Sequence, residues 1–199
     1  MAPTANVWIS RSQGIERAVG KVAEWFRCNS NNYERRALLT PQKGDVANPN
    51  PILAQYISNG NVGSLKGKSA TAGGPVLALG PTHKLLATAI HLANGQALGV
   101  VEHGAGEVAG WAAATGALNL DTGEPTPEAP PQIRAALEDL HAAGYNGYAR
   151  SKEAFFKNLY TPPIETLVDA GYSFEFVASY LAALSDYPTD WDDLKKIYR

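Results

Sequence analysis

The chain has very little cysteine, since Cys28 is the only one among its 199 residues. A single thiol forms no internal disulfide, and the usual structural zinc sites need several cysteine or histidine ligands. The sequence therefore excludes a fold held by internal disulfide bonds and is typical of a reducing compartment. We predict no metal site, because no spacing of histidines and acids demands one.

The chain also lacks a long apolar run and an excess of positive charge. No apolar run approaches the roughly 18 residues of a membrane-spanning helix, and Met1–Asn6 has neither the basic nor the apolar part of a signal peptide. The formal net charge is −2, which gives no overall basic surface for nucleic acid. We therefore expect a cytoplasmic globular protein that binds neither membrane nor nucleic acid.

What the sequence does contain is an alternation of short apolar runs and helix-like segments between residues 74 and 121. Pro75–Gly80 is an apolar run, and a helix-like stretch follows it as far as Ala93. Ala97–Val101 is a second run, and another helix-like stretch begins near Gly106. Short buried strands that alternate with helices indicate a parallel sheet.

Further apolar runs extend this pattern, at Val7–Ser10, Arg36–Thr40 and Ala117–Leu120. Between the first two lies Gly14–Cys28, whose apolar residues recur every three or four positions, as on one face of a helix. We predict an α/β fold: a small parallel, Rossmann-like sheet of four to five strands flanked by helices.

The strand-like pattern ends at a proline-rich stretch. We predict an α/β domain over 1–124, a linker over 125–131 and a helical C-terminal region over 132–199 that packs on or next to the first domain. The apolar stripes of that region predict burial of Phe155, Phe156, Leu167, Val177 and Leu181. The expected helices are Gln132–Ala143, Ser151–Tyr160, Pro162–Ala170, Phe174–Leu184 and a last one from Thr189 or Asp190 to Arg199.

The glycine-rich stretch Asn59–Gly74 is the least structured part of the sequence. Gly63–Ser69 is similar to a phosphate-binding loop, but it has three residues between its glycines instead of four, and a helix-like segment precedes it. We interpret the stretch as a mobile surface loop. Its lysines, Lys66 and Lys68, would matter only if a ligand is anionic.

A second glycine-rich turn contains Gly104 and Gly106, after the strand that ends at Val101. Such a turn allows close approach of backbone to a pyrophosphate. The spacing differs from the dinucleotide fingerprint, however, and Glu107 would repel a phosphate at the start of the next helix. We interpret the glycines as turn residues, with dinucleotide binding as the alternative, and no motif identifies a cofactor.

Polar side chains follow several of the predicted strands. Thr40, Thr82 with His83, and Glu102 with His103 each come at or just after an apolar run. Parallel sheets bind ligands at the carboxyl ends of their strands, so we predict a ligand site there, formed by Thr40, Thr82, His83, Glu102, His103, Gly104 and Gly106. The catalytic candidates are Glu102, His103 and His83, because a carboxylate beside a histidine suits acid–base chemistry. The alternative is that these residues cap helices and end strands.

The residues leave three functions open. The first is a binding module for a small anionic or nucleotide-like ligand or for a protein. The second is an enzyme, hydrolytic or nucleotide-modifying, that uses Glu102 and His103. The third is an interaction protein that forms a homodimer through its helical C-terminal region, where aromatic residues are frequent and acids balance bases.

Overall fold

The computed structural model describes residues 6–148, 154–185 and 191–198. Within them the chain forms one six-stranded sheet and eight α-helices. The strands are β1 (Val7–Ser10), β2 (Ala37–Thr40), β3 (Val62–Ser64), β4 (Val76–Leu79), β5 (Leu98–Glu102) and β6 (Leu118–Asn119). The helices are α1 (Ile15–Asn29), α2 (Pro51–Tyr56), α3 (His83–Ala93), α4 (Ala109–Thr115), α5 (Pro131–Ala143), α6 (Ala154–Asp169), α7 (Phe174–Leu184) and α8 (Trp191–Ile197).

The strands lie in the order β3-β2-β4-β5-β1-β6, and all neighbours are parallel. The predicted α/β fold with a parallel, Rossmann-like sheet and a helical C-terminal region is therefore confirmed, but the sheet has six strands where four to five are predicted, because the short edge strand β3 was not recognised. The strands predicted at Arg36–Thr40, Val76–Gly80 and Ala97–Val101 are neighbours in this sheet. The central strands are buried on both faces, as their continuous apolar runs indicate.

The alternation of side chains along the strands builds two cores. One face, with Val7, Leu38 and Leu77, packs against α1 and α2. The other face, with Leu39, Ala78 and Val100, packs against α3 and α4. A third core joins α5, α6, α7 and α8 and extends to partly buried residues of α3 and α4. The C-terminal helices thus form an additional layer on the α3 and α4 side.

The structure corrects the interpretation of Asn59–Gly74 as a loop throughout. Residues 62–64 form the edge strand β3, which pairs with β2. Gly63 is needed there because a Cβ atom at this position would lie 2.7 Å from the backbone nitrogen of Ala70 and 2.8 Å from a side-chain carbon of Leu39. This glycine reflects close packing and not flexibility. Mobility of the remainder of the stretch stays a prediction.

The helical C-terminal region differs from expectation in α6. A break before Pro162 was expected, but one helix runs from Ala154 to Asp169 with Pro162 and Pro163 inside it; residues 151–153 lie outside the described residues. Leu167, Val177 and Leu181 are buried as predicted. Phe155 is 68 % exposed, so its predicted burial is wrong. The side chain of Phe156 lies outside the described part of the chain.

The start of the predicted linker is attached to the sheet. The Thr126 backbone N–H donates to the Ala117 carbonyl at 2.9 Å, and its hydroxyl accepts from the Trp8 indole N–H at 2.8 Å. The division into 1–124, 125–131 and 132–199 stays a prediction.

Candidate functional site

A cavity of about 580 Å³ opens at the carboxyl ends of β1, β2, β4 and β5, which are neighbours in the sheet. The strands β2 and β4 are neighbours in the sheet. After β2 the chain continues to β3, towards one edge of the sheet, and after β4 it continues to β5, towards the opposite edge. The loops after β2 and β4 therefore diverge, which is the arrangement that leaves a crevice in open parallel sheets. The lining residues are Arg11, Ile15, Pro41, Gln42, Leu79, Gly80, Pro81, Thr82, His83, His103, Glu107 and Glu175.

Arg11 and His103 form a polar pair on the cavity wall. The Arg11 guanidinium lies 2.7 Å from His103 Nδ1. A guanidinium only donates hydrogen bonds, so Nδ1 must accept, and the neutral ring carries its proton on Nε2. Arg11 belongs to a short turn after β1, which is stabilised by a hydrogen bond from the Ser12 backbone N–H to the Ser10 hydroxyl at 3.1 Å.

The Arg11 guanidinium has no carboxylate partner in the part of the chain that the structure describes. Among the residues that the structure describes, it forms no ion pair and donates only to His103. A guanidinium has five N–H donors and no acceptor. The remaining donors of Arg11 are therefore available to an anion in the cavity.

Thr82 and His83 form the part of the wall where α3 begins. The Thr82 hydroxyl accepts from the Leu85 backbone N–H at 3.4 Å, which caps the helix. The His83 ring packs against Phe174 and Trp191, with ring centroids 5.6 and 5.3 Å away. Burial lowers the pKa of His83, and the charges of Lys84 and Lys195 lower it further. His83 is therefore a neutral wall residue at neutral pH.

Glu102 ends β5 but does not line the cavity. It is 3 % exposed, and its Oε1 accepts from the Val108 backbone N–H at 3.3 Å. Burial raises the pKa of Glu102, while hydrogen bonds from the backbone of Val108 and Gly106 oppose that rise. This carboxyl group holds the turn between β5 and α4 in place.

The other predicted site residues lie beside the cavity. Thr40 is fully buried, and its hydroxyl donates to the Gln42 carbonyl at 2.9 Å. Gly104 and Gly106 belong to the turn that Glu102 holds, outside the lining. Of the predicted site, the structure brings Thr82, His83 and His103 together on one cavity wall. Lys66 and Lys68 do not line this cavity.

Sequence reasoning missed three charged residues of the wall. Arg11 follows β1 directly, so the strand-end argument that selected Thr82 and His103 would have found it. Glu107 was considered only as a residue that repels phosphate. Glu175 lies in the first turn of α7, and no linear spacing connects it with the sheet.

Comparisons with protein-family models, with curated proteins and with solved structures found no match to this chain. Among the described residues, no three histidine, cysteine or acidic side chains are grouped so that they could hold a metal ion. No helix in the described part of the chain is long and apolar enough to cross a membrane.

Proposed function

We propose that this protein binds a small anionic molecule in the cavity at the carboxyl ends of β1, β2, β4 and β5. Arg11 holds the anionic group of the ligand, and His103 orients the guanidinium. The observation that carries the proposal is a guanidinium on the cavity wall with no carboxylate partner among the described residues.

Two features of the wall support this proposal. The first turn of α3 starts at the cavity and contains no acidic residue, so its backbone N–H groups favour negative charge. The wall also presents apolar side chains, from Ile15, Pro41, Leu79 and Pro81. Apolar walls with a few polar groups are typical of small-molecule sites, which commonly measure about 300–1,000 Å³.

The enzyme predicted from the sequence would use Glu102 and His103, but only His103 of this pair lines the cavity. Homodimerisation through the helical C-terminal region and a cytoplasmic location stay predictions, and neither is needed for ligand binding in this cavity.

Titration of the intact chain with three anions tests the proposal: inorganic phosphate, pentanoate and adenosine monophosphate. We expect at least one of them to bind, and Arg11→Met to weaken that binding about tenfold or more, since a charge-assisted hydrogen bond contributes about 1.5–3 kcal/mol. Arg17→Met is the matched control, because Arg17 is an exposed arginine of α1 that does not line the cavity. If both variants behave alike, or if neither these three anions nor 5-aminopentanoate, the amine-bearing counterpart of pentanoate, binds at millimolar concentration, the proposal fails.

A further inference from the structure

The cavity wall carries opposite charges on different elements. Arg11 follows β1 and is the only lysine or arginine among the described residues of the lining. Glu107 belongs to the turn between β5 and α4, and Glu175 to the first turn of α7. In the part of the chain that the structure describes, neither glutamate forms an ion pair. The cavity lining therefore offers one positive and two negative groups that form no ion pair within the described residues.

The two histidines of the wall are held by different contacts. His103 Nδ1 faces the Arg11 guanidinium at 2.7 Å and accepts its hydrogen bond. His83 lies against Phe174 and Trp191, and such a desolvated ring favours its neutral form. Two carboxylates against one guanidinium repel ligands with several negative charges, such as polyphosphates. They favour a ligand whose single negative group is accompanied by a positive one.

The position of Glu107 strengthens this argument. Its Oε1 would lie only 2.9 Å from a Cβ atom on Gly104, so the carboxylate folds back over the turn that follows β5. His103 of the same turn holds Arg11. The turn thus presents an acid and a guanidinium-bound histidine to the same cavity.

We infer that the ligand of this cavity is a zwitterion: a small molecule whose carboxylate or phosphate is bound by Arg11 and whose protonated amine is bound by Glu175 and Glu107. The inference rests on the proposed function and narrows it. It also makes α7 part of the site, because Glu175 comes from the helical C-terminal region. The apolar side chains of the wall contact the body of the ligand.

A length series of matched probes tests this inference on the intact chain. The zwitterions are unbranched amino carboxylates of three to six carbons with the amine at the far end. The control ligands are the carboxylates of the same lengths without the amine. We expect at least one zwitterion to bind about tenfold more tightly than its matched carboxylate, which corresponds to about 1.4 kcal/mol.

Variants separate the two charged ends. Replacing both acids, Glu107→Gln with Glu175→Gln, is expected to reduce the preference for the zwitterion to less than about threefold, while the plain carboxylate binds as well as before or better. Each single variant is expected to lose part of the preference, and Arg11→Met to weaken both ligands. Glu165→Gln, an exposed acid of α6 outside the lining, is the matched control.

The outcomes distinguish the two proposals. If plain carboxylates bind through Arg11 but no zwitterion has an advantage, the zwitterion inference is wrong and anion binding stands. The same holds if the advantage survives replacement of both acids. If neither kind of probe binds, or if binding does not depend on Arg11, both proposals are wrong.

Discussion

A carboxylate at the end of a buried parallel strand can face either the open edge of the sheet or the backbone of the next turn. Glu102 faces the backbone of the next turn, where its Oε1 accepts a hydrogen bond from the Val108 N–H. The next residue, His103, turns to the cavity and contacts Arg11. The sequence predicts that both lie at a strand end. It cannot predict which one faces the cavity, because that depends on the path of the turn over 104–108.

The buried position of Glu102 predicts a pH effect on stability. Burial raises its pKa in the folded state above the value of about 4.3 in the unfolded state. Its protonated form therefore stabilises the fold, and this contribution is fully present below about pH 4.3 and is lost as the pH rises through the higher folded-state pKa. We expect the free energy of unfolding of the natural chain to fall, relative to that of Glu102→Gln, as the pH rises above about 4.3.

Urea denaturation of both proteins at several pH values measures this difference. The comparison removes the titration of all other groups, because the two chains differ only at one side chain. A difference that is constant with pH, or that changes in the opposite direction, would show that Glu102 is not a desolvated carboxyl group.

At the scale of elements, two glycines within helices differ in whether the structure leaves room for a Cβ atom. Helix α4 contacts α7 at Gly110, where a Cβ atom would overlap the Phe176 carbonyl oxygen and lie 2.7 Å from the Ser179 hydroxyl oxygen. The Trp111 backbone N–H also donates to that hydroxyl at 3.3 Å. This contact joins the helical C-terminal region to α4, which packs on the sheet. No signal in the sequence connects Gly110 with Ser179, because close helix packing depends on residues that are distant along the chain.

We therefore expect Gly110→Ala to destabilise the protein by about 2 kcal/mol or more, since a methyl group forced into a packed interface displaces its neighbours. Gly20→Ala is the matched control in α1, where the new Cβ would lie 3.9 Å from Ile52 in ordinary contact. In a helix interior, alanine is favoured over glycine by up to about 1 kcal/mol, so this variant is expected to be unchanged or more stable. Equilibrium denaturation measures both. Equal effects of the two substitutions would mean that α4 and α7 do not pack closely at Gly110.

Periodicity predicts most elements of this fold and misses those that depend on distant contacts. Ser173 caps α7 and Pro51 starts α2, as their residue types indicate. The edge strand β3 was missed because its short, glycine-containing sequence resembles a loop. The helix α6 was divided because prolines usually interrupt helices, whereas this one continues through Pro162 and Pro163.

At the scale of the whole molecule, the order of the layers determines which residues reach the cavity. The sheet supplies Arg11, His83 and His103 from three different strand ends. The layer of C-terminal helices contacts α3 and α4, so the start of α7 brings Glu175 to the same opening. A prediction made from the sheet alone places the site at its carboxyl edge. It leaves out Glu175 of α7 and therefore part of the charge at the site.

The central claim, that the carboxyl edge of the sheet binds a small anion through Arg11, is tested most directly by mapping where a probe binds. Backbone amide spectra of the isotope-labelled chain would be recorded during titration with the tightest-binding anion of the panel. We predict that the largest shifts fall on Arg11, Gly80, His83 and His103, and that in Arg11→Met they require about tenfold more ligand or more. Shifts confined to the opposite edge of the sheet or to the outer face of α6, or unchanged shifts in the variant, would contradict the claim.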